Sequence, residues 1–154
     1  MCQGGEMKKR NFLTEEEKKE MMGQNDNCGL ARTLGIETID LDYGYARSRL
    51  TVDSRHLNVH GLLHGAAVLA LADHTAGASG TTMRRKALAL QINANYLATA
   101  KIRIGETIYC EARFVREGKQ IVYLEIDVWN GRTELISKAT LTGMKFNESA
   151  PYKG

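Results

Sequence analysis

His64-Gly65-Ala66-Ala67-Val68-Leu69-Ala70-Leu71-Ala72-Asp73-His74-Thr75-Ala76-Gly77-Ala78 is the stretch on which the fold turns. It is Ala-rich, almost wholly apolar and too long for one ordinary strand, so it reads as a helix. A helix apolar on most sides has to be buried. One residue disagrees with its company. Asp73 sits among Leu71, Ala72 and Ala76, where a carboxylate is costly unless it is paired or used. Such a group is a candidate general base.

The flanks of this helix carry other patterns. Thr14-Glu15-Glu16-Glu17 is a capping box with acids in the first turn, and predicts a helix to about Met22 that stops at Gly23. A second short helix is expected near Cys28–Leu34, closed by Gly35. Ile36, Thr38, Asp40 and Asp42 then alternate with Glu37, Ile39, Leu41 and Tyr43. Gly44 interrupts and Tyr45–Val52 resumes, which reads as a β-hairpin. Residues 53–63 read as a polar loop. Beyond Gly80 come four strand-like stretches, Ala87–Leu97, Thr107–Arg116, Gln120–Trp129 and Glu134–Phe146. Glu117-Gly118-Lys119 and Asn130-Gly131 mark tight turns between them, and a four-stranded meander is expected. The order predicts the α+β class, an antiparallel β-sheet wrapped around a long central helix. Residues 1–13 read as a disordered start, 14–148 as one domain with an N-terminal helix, and 149–154 as a tail.

Composition narrows the function. With 43% hydrophobic and 25% charged residues in 154, the chain can build one ordinary core. A net charge of +3 is too weak to argue for nucleic acid. The basic runs Lys8-Lys9-Arg10 and Arg84-Arg85-Lys86 read first as a solvated face or a flexible end. Three Cys at wide spacing, with no CxxC, give no disulfide framework or structural zinc site. Cys28 has no His near it in sequence to activate it as a nucleophile. No segment approaches the roughly 20 apolar residues that cross a bilayer, and no secretory signal is apparent. A cytoplasmic protein without membrane or nucleic-acid partners is expected.

Asn58-Val59-His60-Gly61-Leu62-Leu63-His64-Gly65, followed by Asp73, holds the chemistry. Gly65 opens the helix, where N–H groups lack internal partners and the dipole is positive. Its N–H is a natural oxyanion donor, and a Gly lets a ligand come close. Gly65 and Asp73 lie roughly 12 Å apart along the axis, at about 1.5 Å per residue. One carbonyl cannot meet both in the same chain. Two antiparallel copies of the helix would bring Gly65 of one to Asp73 of the other, so the site is expected between subunits. His56, His60 and His64 recur every four residues, with His74 beyond. That spacing on a helix would suit a metal, but Gly61 and the polar run favour a loop, so ordinary hydrogen-bonded histidines are expected and no metal.

Asn58, a His64-Gly65 pair six residues on and Asp73 nine after that His resemble the pattern of the phenylacetic-acid-type thioesterases of the hot-dog superfamily. The resemblance spans about residues 30–146. Asn93-Ala94-Asn95-Tyr96 looks like the family's strand after the helix. Val115-Arg116-Glu117-Gly118-Lys119 looks like a turn that contacts coenzyme A. The resemblance implies a hot-dog fold and hydrolysis of a fatty or aryl acyl-CoA. It implies Asp73 as base or nucleophile, the Gly65 N–H polarising the carbonyl, Asn58 placing carbonyl or water, and His64 shaping the entry to the helix. Arg116, Gly118, Lys119, Arg84 and Arg85 would meet the coenzyme, with Tyr96 weighed evenly between ligand contact and core or interface. No cofactor is implied beyond the coenzyme A of the substrate itself, and a homodimer or homotetramer is expected. Departures from the pattern are Ala66 where a second Gly is frequent, Ala89 where a Ser or Thr assists the Asp, and two extra residues around Lys101–Ile104. Thr75, Ser79 and Gln91 are the candidates to replace that assistant. Leu62, Leu63, Leu69 and Met83 are candidates to set pocket depth.

Three other functions fit parts of the sequence. A non-catalytic acyl-CoA sensor of this fold would carry a DNA-binding helix-turn-helix, and only about 30 residues precede the strands. A hot-dog hydratase would use different, Pro-bearing motifs, whereas Pro151 is the single Pro here. A metal hydrolase would need the His cluster.

Overall fold

The computed structural model describes residues 13–83, 87–131 and 133–146. The expected tails lie almost wholly outside these residues, and so do Arg84 and Arg85. Helix α1 (Glu15–Asp26) starts on the capping box: the Glu17 N–H donates to Thr14 Oγ1 at 3.2 Å and the Thr14 N–H to Glu17 Oε2 at 2.7 Å. It does not stop at Gly23. A Gly inside a helix costs about 1 kcal/mol, and tertiary bonds from the extra turn offset that. Asn25 Nδ2 donates to Thr81 Oγ1 at 3.2 Å, and Asp26 Oδ1 accepts from the Thr38 N–H at 2.8 Å. Helix α2 (Gly29–Leu34) ends on Gly35, whose φ of 69° is the left-handed turn expected there.

Strands β1 (Ile36–Asp42) and β2 (Tyr45–Thr51) form the expected hairpin, turning at Gly44 with φ 69°. Helix α3 (Gly65–Thr81) is the long Ala-rich helix. After it come β3 (Ala87–Tyr96), β4 (Thr107–Glu117), β5 (Ile121–Asn130) and β6 (Glu134–Lys145). All six strands make one antiparallel sheet in the order β1-β2-β4-β5-β6-β3.

The expected four-strand meander is therefore corrected. Only β4-β5-β6 form one; β3 pairs with β6 at the far edge, while β4 takes the place beside β2. Helix α3 explains the jump. It leaves beside β2, crosses the concave face in contact with every strand, and delivers the chain to the opposite edge. Ala67, Ala72 and Ala76 are buried on its sheet-facing side with Val68 and Leu71, over Leu50, Ile108, Leu124, Ile126 and Ile136. Small residues let the helix lie close to the sheet. Each fully buried Leu or Ile contributes about 1.5–3 kcal/mol.

Helix α3 is not covered all round. Ala66, Asp73 and Gly77 are exposed, and Leu69 and Ala70 are half-buried. With β3 at the sheet edge, its Leu88 and Leu90 are 52% and 56% exposed. A strand edge of this kind offers a row of unpaired backbone groups. Among the described residues, no helix is long and apolar enough to cross a membrane.

Candidate active site

The first turn of α3 uses its N–H groups unequally. His64 is the N-cap, and its Nδ1 accepts from the Ala66 N–H at 3.0 Å. The His64 carbonyl accepts from Ala67 at 3.0 Å and Val68 at 3.4 Å. Among the described residues nothing accepts from the Gly65 N–H, so one polarised donor is left at the positive end of the helix. The Tyr96 ring lies against it: a Cβ on Gly65 would sit 3.1 Å from Tyr96 Cζ. Gly65 thus favours the close packing of Tyr96. Because His64 Nδ1 accepts in this cap, it is the neutral ring with its N–H at Nε2 that fits the bond.

Asn58 holds the loop that leads in. Its Oδ1 accepts from the His60 N–H at 2.9 Å and the Leu62 N–H at 3.2 Å, and its own N–H donates to Leu62 O at 2.8 Å. Because both partners are N–H donors, the side-chain oxygen must face them, and the Nδ2 amide is left for other work. Buried His56 fixes the base of the loop. Its Nδ1 accepts from the Asp53 N–H at 2.9 Å, its Nε2 bonds Leu34 O at 2.8 Å, and its carbonyl accepts from the His64 N–H at 2.8 Å. With both ring nitrogens committed, His56 is unavailable to a metal.

Asp73 stands two turns further along α3. The expectation that it is buried is corrected for the single chain: its side of the helix is the uncovered one. It borders an apolar cavity of about 150 Å³ between α3 and the sheet, lined also by Gly77, Gly80, Met83, Leu88, Ala89 and Phe114. Met83 is the one of the four candidates for pocket depth found there; Leu63 is in the core, and Leu62 and Leu69 are elsewhere. Ala89 does line the cavity, in the position where a hydroxyl was missed. Neither expected hydroxyl replaces it. Thr75 and Ser79 are fully buried on the other side of α3, bonded back to Leu71 O and Ala76 O at 2.7 Å each. Gln91 is exposed and donates to Asn93 at 3.4 Å.

Neighbouring His74 points the other way, to Thr38 Oγ1 at 3.3 Å and Asp26 at 3.8 Å. Burial pushes its imidazole below the ordinary value, against the pull of Asp26 and Asp73. Arg116, Gly118 and Lys119 gather at the β4–β5 turn around a hollow of about 390 Å³ that shares no lining residue with the Asp73 cavity. Cys28 caps α2 through Sγ, at 3.3 Å from the Ala31 nitrogen. Burial pushes the Cys110 thiol up to about 12, so it is inert.

Within one chain, then, His64, Gly65 and Tyr96 meet at the start of α3, and Asn58 holds the loop that leads to it. Asp73 and the cavity lie along its uncovered side. Residues 60–137 match the model of the thioesterase superfamily. The chain belongs to that superfamily. The matched thioesterase segment carries Gly65, Asp73, α3 and the strands from β3 to β5, and Asn58 lies just before it.

Relatives agree. The acyl-coenzyme A thioesterase PaaI of Escherichia coli is 28% identical over 116 residues, covering 75% of this chain and 80% of that protein. The 1,4-dihydroxy-2-naphthoyl-CoA hydrolase of Listeria monocytogenes is 29% identical over 120 residues, 76% of this chain and 97% of that one. The solved structure of E. coli PaaI superposes with a TM-score of 0.75 at 24% identity, over 83% of this chain and 95% of that one. The protein is accordingly a thioester hydrolase with the hot-dog fold, a sheet wrapped around α3, and is similar to PaaI. Sequence reasoning passed over Phe114, Gly77 and Gly80. The two glycines were legible as gaps in an otherwise Ala- and Leu-rich helix face; nothing in the sequence marked Phe114.

Proposed function

We propose that the protein is an acyl-CoA thioesterase, and that its active site forms where two subunits meet. Asp73 of one subunit acts as general base and the Gly65 N–H of the other as oxyanion donor. The observation that carries this reading is the uncovered side of α3, with a carboxylate at the mouth of an apolar cavity. Soluble chains seldom leave a stripe of Ala66, Leu69, Ala70 and Gly77 open beside a free strand edge with exposed Leu88 and Leu90. A second copy, running antiparallel, covers both and supplies the missing half of the site.

The chemistry then balances simply. Asp73 takes a proton from water as its oxygen attacks the thioester carbonyl. Negative charge on the carbonyl oxygen is met by the Gly65 N–H. The C–S bond breaks, the coenzyme leaves as thiolate, and the proton passes from Asp73 to that sulfur. The Asn58 amide Nδ2, not used by the loop N–H groups that Oδ1 meets, assists in placing carbonyl or water. Arg116 and Lys119 at the β4–β5 turn are the cations for the coenzyme's phosphates. Thiol release from a panel of short, medium, long and aryl acyl-CoAs tests the reading. The wild type is expected to hydrolyse some of them and Asp73→Asn to lose on the order of 10²–10⁴ in kcat. Full activity in a folded Asp73→Asn protein would refute the role of Asp73. Binding without turnover in the wild type would make the protein an acyl-CoA sensor instead.

A further inference from the structure

The inference rests on the Asp73 cavity being the acyl site. We propose that Phe114 is the residue that limits acyl length, so that the enzyme prefers acyl groups of up to about six carbon atoms, or one ring, over long chains. A cavity of about 150 Å³ with apolar walls holds a benzene-sized group. Phe114 closes it. Phe114 is the one described residue that lines both this cavity and a groove of about 630 Å³ on the far side, bordered by Lys18, Asp42, Tyr43 and Arg113. That groove is charged and suits no acyl chain by itself. The Phe114 ring is the partition between the two.

The partition is held in place. A Cβ on Gly44 would come within 2.8 Å of Phe114 Cδ2, so the β1–β2 turn presses directly on the ring. The Phe114 N–H donates to Gly44 O at 2.8 Å. Tyr43 meets the ring edge-on, with centroids 6.3 Å apart and planes at 73°. A chain longer than the cavity must displace a ring braced by backbone. On the opposite wall the cavity is kept open by missing side chains, because a Cβ on Gly77 or Gly80 would meet nothing within 4 Å. The two walls therefore make opposite forecasts. Cutting Phe114 back joins the cavity to the groove and gives a long chain a way out past Tyr43. A side chain at Gly80 fills the cavity and shortens what fits.

Acetyl-, hexanoyl-, benzoyl-, decanoyl- and palmitoyl-CoA are assayed for kcat/KM with wild type, Phe114→Ala, Phe114→Leu and Gly80→Leu. In the wild type, hexanoyl- or benzoyl-CoA is expected to lead. In Phe114→Ala the ratio of decanoyl to hexanoyl turnover is expected to rise about tenfold or more, the scale of a misfitted methylene or two. Phe114→Leu moves it in the same direction by less, and stands in if the Ala variant fails to fold. Gly80→Leu moves it the other way, toward acetyl. A merely structural role for Phe114 would lower all substrates alike. Unchanged chain-length ratios in the folded Phe114 variants would overturn the proposal while leaving the thioesterase in place. Absence of turnover with every acyl-CoA in the wild type would overturn the proposed function, and the length limit with it.

Discussion

Gly65 does two things at once. It lets the Tyr96 ring come so close that a Cβ would sit 3.1 Å from Cζ, and among the described residues it presents the one first-turn N–H with no acceptor. Gly65→Pro separates these from mere folding. Pro is tolerated at the first position of a helix, and His64 already has the extended backbone, φ −70° and ψ 131°, that a following Pro requires. The variant deletes the donor, and its Cβ asks the exposed Tyr96 ring to give by a few tenths of an ångström. If the N–H is the oxyanion donor, kcat falls by about 10²–10³ in a protein that melts near the wild type; unimpaired kcat would remove Gly65 from the chemistry. At this scale the sequence was readable because Gly65 and Asp73 break the rules of their surroundings, a Gly where Ala abounds and a charge in an apolar run. Phe114 breaks none. An inward Phe on a strand is ordinary core by sequence, and its place between two cavities exists only once the β1–β2 turn has been packed against it.

His74 shows how one element is tied to another. It joins α3 to β1 and the end of α1 through Thr38 and Asp26. Burial pushes its folded pKa down, so the unfolded imidazole binds a proton more readily. Stability then falls as pH drops below the unfolded value of about 6.5, and the loss levels off once the folded pKa is passed. In His74→Gln, urea unfolding midpoints taken from neutral to mildly acid pH are expected to vary less than in the wild type. Equal pH dependence in both proteins would show that His74 does not contribute.

The elements themselves were largely legible. Periodicity, the Thr14 cap, Gly35 and Gly44 place most of them within a residue or two. Two features were not. Helix α1 runs through Gly23 because Asn25 and Asp26 find partners far away in sequence. The pairing of β3 with β6 follows from the path of α3 across the sheet, and local alternation carries no information about which strand is the neighbour.

For the whole molecule, the proposed site needs two chains. Helix α3 reads as buried from its sequence, and its sheet-facing side is. The other side, with Ala66, Asp73 and Gly77, stays open. An apolar pattern says that a face will be covered and does not say by which chain. Along α3, Gly65 and Asp73 are too far apart to act on one carbonyl, so the account stands or falls on two copies sharing a site. Mixing inactive proteins tests this most directly. Asp73→Asn and Gly65→Pro subunits are unfolded together, refolded as a mixture and assayed for acyl-CoA hydrolysis. In a mixed dimer one site contains both damaged residues and the other contains neither, so random pairing is expected to restore about a quarter of the wild-type activity. Each variant refolded alone is expected to stay inactive. A mixture no more active than its parents, with mixed dimers shown to be present, would contradict a site shared between subunits.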